Sequence, residues 1–140
     1  KKELFVTSGG KNVAPHPIEV ALIERPFIDQ ACLIGDGRKY LTALIIPDFD
    51  SLKRYARDKG LGSATDSELV NHPDIRALIA GEVDRVNASL ARYEQIKYFT
   101  ILDRPFDVAT GELTPTLKVK RRVVNEKFHD QIERMYNNPA

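Results

Sequence analysis

A basic segment near the end of the chain carries the side chains best suited to chemistry on an anion. It reads Leu113-Thr114-Pro115-Thr116-Leu117-Lys118-Val119-Lys120-Arg121-Arg122 and follows the turn signal Gly111-Glu112. Thr116 can cap a helix N-terminus, so we expect a helix to follow and Lys118 to lie at or near the junction of loop and helix. Cations at a helix N-terminus oppose the macrodipole, which favours an anionic partner for this cluster. The alternative is a solvated helix start.

A glycine-rich segment, Thr7-Ser8-Gly9-Gly10-Lys11-Asn12, lies near the other end of the chain. Gly9-Gly10 between two short extended runs is typical of a β-hairpin turn. Glycines also let a ligand approach the backbone closely, so a binding loop is the second interpretation. The segment is not a Walker phosphate loop, because the Gly-Lys-Ser/Thr ending is missing. The residues themselves leave both interpretations open.

Other kinds of reactive site have little support. His16, His72 and His129 fall in different predicted elements and lack carboxylates at ligand spacing, so we predict no metal site. We expect His129 to lie at the surface. Cys32 is the only cysteine and lies in an apolar run, which predicts a small core residue rather than a catalytic thiol. A single cysteine excludes a disulfide within the chain and favours a cytoplasmic location.

The composition is that of an ordinary globular domain. The 140 residues are enough for one domain with a core, and 42% of them are hydrophobic. The net charge of +1 gives no general attraction to nucleic acid or anionic lipid. No apolar run approaches the roughly 20 residues that a membrane-spanning helix needs. The opening Lys1-Lys2-Glu3-Leu4-Phe5-Val6 indicates a strand already under way, so we expect a piece of a longer protein.

The elements that would position these residues alternate in type. The pattern predicts extended runs at 4–7 and 11–14, a helix at 18–24, strands at 28–34 and 40–46, helices from 48 or 50 to 59, at 67–71 and at 74–93, a strand at 97–102, a loop at 103–116 and a helix at 119–136. The spacing of the strands at 28–34 and 40–46 suggests an antiparallel pair. The fold class is therefore α+β: a small mixed or antiparallel sheet with an N-terminal β-hairpin and helices packed on it.

Several segments together resemble a known family. Residues 1–15 resemble its hinge motif, Ile18-Glu19 its helix entry, residues 93–97 and Phe106 its middle, and residues 111–122 its final motif. On these motifs the chain resembles the C-terminal domain of the adenylate-forming (AMP-binding) acyl-CoA synthetases, in the long-chain fatty-acid CoA ligase version. The resemblance covers essentially the whole chain.

The resemblance implies a two-step ligase. Such enzymes join a carboxylate to ATP, release pyrophosphate, and then pass the acyl group from the adenylate to coenzyme A. Residues 1–140 would be the single C-terminal lid domain, which swings about a hinge. The large N-terminal domain of the same polypeptide, absent here, would hold ATP, Mg²⁺ and most of the acyl pocket. We therefore expect this part alone to be inactive. Peripheral membrane association would come through the rest of the enzyme.

The resemblance also assigns site residues. The adenylation lysine falls on Lys118, with Leu117 at a position where the family usually has Gly and the long-chain branch commonly has Leu. Arg121 matches a motif arginine that is structural or phosphate-proximal. The hinge pivot falls on Lys2. The loop that lines the pantetheine tunnel carries over to Ser8, Gly9 and Gly10, with Lys11 and Asn12 as weaker candidates.

Two alternatives from other classes remain at this point: a nucleic-acid-binding module and a stand-alone regulatory module, each using the basic helix at 118–122. Against the first, the predicted strands lack exposed aromatic residues with basic neighbours, and the net charge is near zero. Against the second, the abrupt start favours a piece of a larger enzyme.

Overall fold

The computed structural model describes residues 3–137 and contains five strands and six helices in that part of the chain. In order they are β1 (Phe5–Val6), β2 (Asn12–Val13), α1 (Pro15–Ile23), β3 (Ile28–Ile34), β4 (Leu41–Pro47), α2 (Phe49–Asp58), α3 (Asp66–Asn71), α4 (Pro73–Asn87), β5 (Ile96–Ile101), α5 (Arg121–Lys127) and α6 (His129–Asn137), with a 3₁₀ turn at Arg92–Glu94 before β5.

A three-stranded sheet in the order β3-β4-β5 forms the centre of the fold. β3 pairs antiparallel with β4, and β4 pairs parallel with β5 after the crossover through α2, α3 and α4. All seven residues of the central strand β4 are buried. A separate two-stranded hairpin joins β1 and β2, with Phe5 opposite Val13. The α+β prediction, with an N-terminal hairpin and a small mixed sheet, is confirmed.

Successive side chains of a strand point to opposite faces, and here both faces are covered. On one face Leu33 and Ile45 pack with Leu22 of α1 and Ile79 of α4. On the other face the fully buried Cys32 joins residues of α5 and α6 in a second cluster. Cys32 is therefore a core residue, as predicted, and burial is the main cause that raises the pKa of its thiol to about 12. No helix in the described part of the chain is long and apolar enough to cross a membrane.

The last helix differs from the prediction of one helix at 119–136. Thr116 does not cap it, because Thr114 pairs with Lys118 in a small hairpin that extends to a bridge between Leu113 and Val119. The helix begins at Arg121 instead. Phe128, with φ −108° and ψ 27°, separates α5 from α6.

α4 is shorter than the predicted helix at 74–93. It ends at Asn87, whose side-chain amide accepts from the N–H of Ile96 at 2.8 Å and donates to the carbonyl of Ile96 at 2.9 Å. This bridge fixes the entry into β5 and turns the chain out of the helix. α1 also differs from its prediction at 18–24. It begins earlier, at Pro15, because proline is well suited to the first turn of a helix.

Candidate functional site

Lys118 closes a three-residue hairpin loop. The N–H of Thr114 donates to the carbonyl of Lys118 at 2.8 Å, and the N–H of Leu117 donates to the carbonyl of Thr114 at 2.8 Å. The N–H of Lys118 donates to Thr114 Oγ1 at 3.0 Å. Two of these hydrogen bonds fix the backbone of Lys118 and the third closes the loop before it. The Lys118 side chain is exposed, and no carboxylate of residues 3–137 forms an ion pair with it. Lys118 lies three residues before α5, near the junction of loop and helix as predicted.

Leu117 adopts a left-handed backbone conformation, with φ +66°. A three-residue hairpin loop ends in a residue of this conformation, which glycine adopts freely. A side chain there approaches the following carbonyl and costs about 1–2 kcal/mol. The loop geometry thus accounts for the glycine that the resemblance places before the lysine, and Leu117 is a strained substitute for it.

Glu112 anchors the base of this loop. Its carboxylate is buried and accepts from the Lys127 ammonium, from Thr110 Oγ1 at 2.5 Å and from the N–H of Asp107 at 3.0 Å. Burial by itself would raise the pKa of Glu112, but these hydrogen bonds outweigh it and lower the pKa to about 2. The carbonyl of Glu112 also accepts from the N–H of Lys120 at 2.7 Å. The lysine loop is therefore tied to α5 at both of its ends.

The glycine-rich segment forms a loop of the same design. The N–H of Thr7 donates to the carbonyl of Lys11 at 2.9 Å, and that of Gly10 donates to the carbonyl of Thr7 at 2.9 Å. The N–H of Lys11 donates to Thr7 Oγ1 at 3.0 Å, and Gly10 has φ +82°. Both loops thus run Thr-x-x-x-Lys, with a left-handed residue before the lysine. The hairpin-turn interpretation of residues 8–11 is confirmed.

The same loop presents an open surface. Ser8, Gly9, Gly10, Lys11 and Asn12 are all exposed. A Cβ added to Gly10 would meet no atom within 4 Å, and one added to Gly9 would lie 4.0 Å from Thr7 Oγ1. The Lys11 ammonium lies 5.4 Å from the centre of the Tyr93 ring. A thin ligand can therefore approach this backbone, and its contact with pantetheine stays a prediction.

Arg121 is the most heavily bonded side chain of the basic segment. A guanidinium has five N–H donors, and here all five are used: Glu3 accepts at 2.7 and 3.0 Å, Glu19 at 2.7 and 3.1 Å, and the carbonyl of Leu33 at 2.8 Å. Burial opposes the charged form, but the hydrogen bonds to Glu19 and Glu3 raise the pKa of Arg121 well above its ordinary value. The geometry accounts for a structural role, and proximity to a phosphate stays a prediction.

The other basic residues of the segment differ from Arg121. Lys118, Lys120 and Arg122 are exposed, and Arg122 forms an ion pair with Glu126 at 3.6 Å. The basic helix face proposed for a nucleic-acid-binding module therefore lacks its central cation, which is bound inside the domain. Nothing in the described residues favours that alternative or the regulatory one.

Two predictions concern residues elsewhere. Lys2, the predicted hinge pivot, lies outside the described residues, but its neighbour Glu3 is bonded to Arg121. His129 is exposed, as predicted. No group of three or more His, Cys, Asp or Glu side chains among residues 3–137 could hold a metal ion.

A groove beside Arg121 is not the predicted site. It has a volume of about 520 Å³ and lies between β1, the β3–β4 turn, α5 and α6. Of the predicted site residues that the structure describes, only Arg121 lines it. No hydrogen bond or ion pair among residues 3–137 joins the two Thr-x-x-x-Lys loops directly. The two loops are therefore separate candidate sites on one domain.

Sequence reasoning missed the residues that hold the loops. Thr7 and Thr114 play the same part in their loops, and the repeated spacing Thr7–Lys11 and Thr114–Lys118 is a signal that could have identified them. The resemblance places Glu19 only at a helix entry, although its carboxylate also accepts from the N–H of Leu33 at 2.6 Å. Its bond to Arg121 spans 102 residues and leaves no local pattern.

Comparison with known proteins identifies the family. A family model described as the AMP-binding enzyme C-terminal domain matches residues 2–140. The chain belongs to this family. The long-chain-fatty-acid–CoA ligase FadD15 of Mycobacterium tuberculosis is 43% identical to it over 138 residues, which are 98% of this chain and 23% of that protein. The long-chain-fatty-acid–CoA ligase ACSBG1 of Rattus norvegicus is 40% identical over 153 residues, which cover 96% of this chain and 21% of that protein.

Parts of two solved structures have the same fold. The adenylation domain of a carboxylate reductase from Mycobacterium chelonae matches with a TM-score of 0.78 and 25% identity, over 96% of this chain and 19% of that chain. The A domain of a carboxylic acid reductase from Segniliparus rugosus, in complex with AMP and a co-purified carboxylic acid, matches with a TM-score of 0.77 and 23% identity, over 98% and 20%. The chain spans less than a quarter of the length of these two relatives.

Proposed function

We propose that this chain is the mobile C-terminal domain of an AMP-forming long-chain fatty-acid–CoA ligase and that it supplies Lys118 to the adenylation step. The proposal depends on one observation in this member of the family: Lys118 has a fixed backbone and a free-standing side chain. Its backbone is fixed by two hydrogen bonds to Thr114, and its side chain is exposed. Names of the relatives support the fatty-acid substrate and coenzyme A as the acceptor.

In the first step the fatty-acid carboxylate attacks the α-phosphorus of ATP, the bond to the bridging oxygen breaks, and pyrophosphate leaves. Negative charge grows on the α-phosphate oxygens and on the leaving oxygen. An ammonium on a flexible stem can neutralise both, and Lys118 would supply it. We expect ATP and Mg²⁺ to be held mainly by the large N-terminal domain of the same polypeptide.

In the second step the thiol of coenzyme A loses its proton to solvent and its sulfur attacks the acyl carbon, and AMP leaves with the electron pair of the broken acyl–oxygen bond. The domain would rotate about the hinge near Lys2 and present its glycine-rich loop. The exposed backbone of Ser8, Gly9 and Gly10 would then lie along the pantetheine arm, with the Lys11 ammonium nearby. One domain would in this way serve both steps with two loops.

The test is Lys118→Ala in the complete synthetase. Pyrophosphate release with ATP and palmitate should fall about 10²- to 10³-fold, the usual loss when one preorganised charge is removed from a transition state. Acyl-CoA formation from supplied palmitoyl-adenylate should stay at the parental rate. Equal losses in both steps would show that Lys118 acts through folding.

Two controls accompany this test. Lys120→Ala removes a neighbouring exposed ammonium from the same segment and should change both rates by less than a few-fold. The purified 140-residue chain, assayed with ATP, coenzyme A and palmitate, should form no acyl-CoA, because the proposed ATP and acyl sites lie on the other domain. Turnover above background would contradict that assignment.

A further inference from the structure

Leu117 combines backbone strain with an exposed apolar side chain. Among residues 3–137 only two residues other than glycine have positive φ, namely Phe27 at 75° and Leu117 at 66°. Phe27 packs against two apolar clusters, and its ring meets Tyr55 at 5.6 Å, so packing offsets its strain. Leu117 is 68% exposed and belongs to none of the three apolar clusters of the described residues. Its strain has no such compensation within the domain.

The other Thr-x-x-x-Lys loop shows that the turn itself does not need a side chain here. Gly10 holds the equivalent position, with the same hydrogen bonds on either side and the same sign of φ. Glycine at position 117 would relieve the backbone and remove an apolar group from water. For the domain alone, leucine is therefore the worse residue on both counts.

We infer that the Leu117 side chain positions Lys118 by packing against an apolar surface of the N-terminal domain beside the acyl-adenylate pocket. This rests on the proposed function. Adjacent Cα atoms lie 3.8 Å apart, so a loop that carries Lys118 to the α-phosphate carries Leu117 into the same site. The pocket there must accept the hydrocarbon next to the reacting carboxylate, which makes its wall apolar. Burial of Leu117 on closing fixes how far Lys118 reaches.

Three substitutions separate the side chain from the backbone. Leu117→Gly removes strain and side chain together. Leu117→Asn keeps the number and branching of the side-chain heavy atoms and accepts positive φ, but it is polar. Leu117→Met keeps an apolar side chain and the strain. Each is measured in the 140-residue chain by thermal unfolding and in the complete synthetase by pyrophosphate release and by acyl transfer from palmitoyl-adenylate.

We expect stability and adenylation to move in opposite directions. Leu117→Gly should raise the melting temperature of the 140-residue chain by about 3 °C as strain is lost, and Leu117→Asn should not lower it. Both should reduce kcat/KM for pyrophosphate release about tenfold or more, the scale of one lost apolar side-chain contact. Leu117→Met should stay within a few-fold of the parent. Acyl transfer from palmitoyl-adenylate should be unchanged in all three variants.

Parental adenylation in the glycine and asparagine variants would overturn the inference, and so would an equal loss in all three, which would point to loop conformation. A lower melting temperature for Leu117→Gly would contradict the strain on which the inference is built. Lys118→Ala in the same assay tests the proposed function separately. Normal adenylation in that variant would refute the role of Lys118 itself, whatever the Leu117 variants do.

Discussion

Replacement of Arg121 by methionine should destabilise the domain more than replacement of any other cation in the basic segment. The side chain is only 15% exposed, and it neutralises Glu19, whose side chain is 12% exposed. Methionine fills a similar volume without a charge, so Arg121→Met leaves the Glu19 carboxylate buried with the N–H of Leu33 as its remaining partner. An uncompensated buried charge of this kind costs about 3–5 kcal/mol. That is a large share of the free energy of unfolding of a typical domain, which is about 5–15 kcal/mol.

The two carboxylates bound to Arg121 should contribute unequally. Glu3 is 50% exposed, so water screens its pairing with Arg121. Exposed ion pairs are worth at most about 1 kcal/mol, and Glu3→Gln should lose no more than that. Glu3→Gln is therefore the matched control, because it removes one charge from the same guanidinium without leaving a buried charge unpaired.

Urea unfolding of the 140-residue chain at pH 7 measures these free energies. In a double-mutant cycle, Arg121→Met with Glu19→Gln should be more stable than the sum of the single losses predicts, with a coupling of about 1–3 kcal/mol. Additive losses, or a loss below about 1 kcal/mol for Arg121→Met, would refute the view that a buried ion pair holds α5 to α1.

Two further predictions concern the loops. Gly9 has no positive φ and has room for a Cβ, so Gly9→Leu should leave the melting temperature within about 2 °C of the parent. It should nevertheless slow acyl transfer to coenzyme A, while pyrophosphate release persists. Gly10→Leu, at a φ of +82°, is the strained comparison, and parental rates of acyl transfer in both variants would contradict a pantetheine contact at this loop. The pKa of Glu112 falls from 4.5 to about 2 on folding. Its contribution to the free energy of unfolding is therefore fully present above pH 4.5 and is lost between pH 4.5 and pH 2, by about 3 kcal/mol in all. The free energy of unfolding of Glu112→Gln should depend less on pH in this range than that of the parent, and parallel pH profiles of the two proteins would contradict this.

The sequence predicted those parts of the fold that local signals determine. β3 lies at the predicted residues 28–34, because an apolar run is bounded by Pro26 and Gly35. α2 begins after its cap Asp48 and ends before Gly60, whose φ is +78°. Both are cases in which capping and turn residues act within a few positions of the element they limit.

Local signals failed where hydrogen bonds between separate residues determine the backbone conformation. Thr116 is an acceptable N-cap, but the backbone hydrogen bond between Thr114 and Lys118 holds this segment in a hairpin, so the helix begins only at Arg121. The position of Lys118 could be predicted, since it depends on a nearby turn and a nearby helix. The bonds of Arg121 to Glu3 and Glu19 could not, because their partners lie 118 and 102 residues away.

These distant bonds have a consequence for a domain that is proposed to rotate. Arg121 begins the helix that follows the Lys118 loop, Glu19 lies in the helix that follows the glycine-rich hairpin, and Glu3 adjoins the predicted pivot. One guanidinium thus joins the segment next to the hinge to both elements that carry a loop. A rotation about that hinge would move the two loops as one body. Changes at Lys118, Leu117 or Gly9 should each affect one half-reaction. Arg121→Met should slow both half-reactions, even at temperatures at which the variant is still folded.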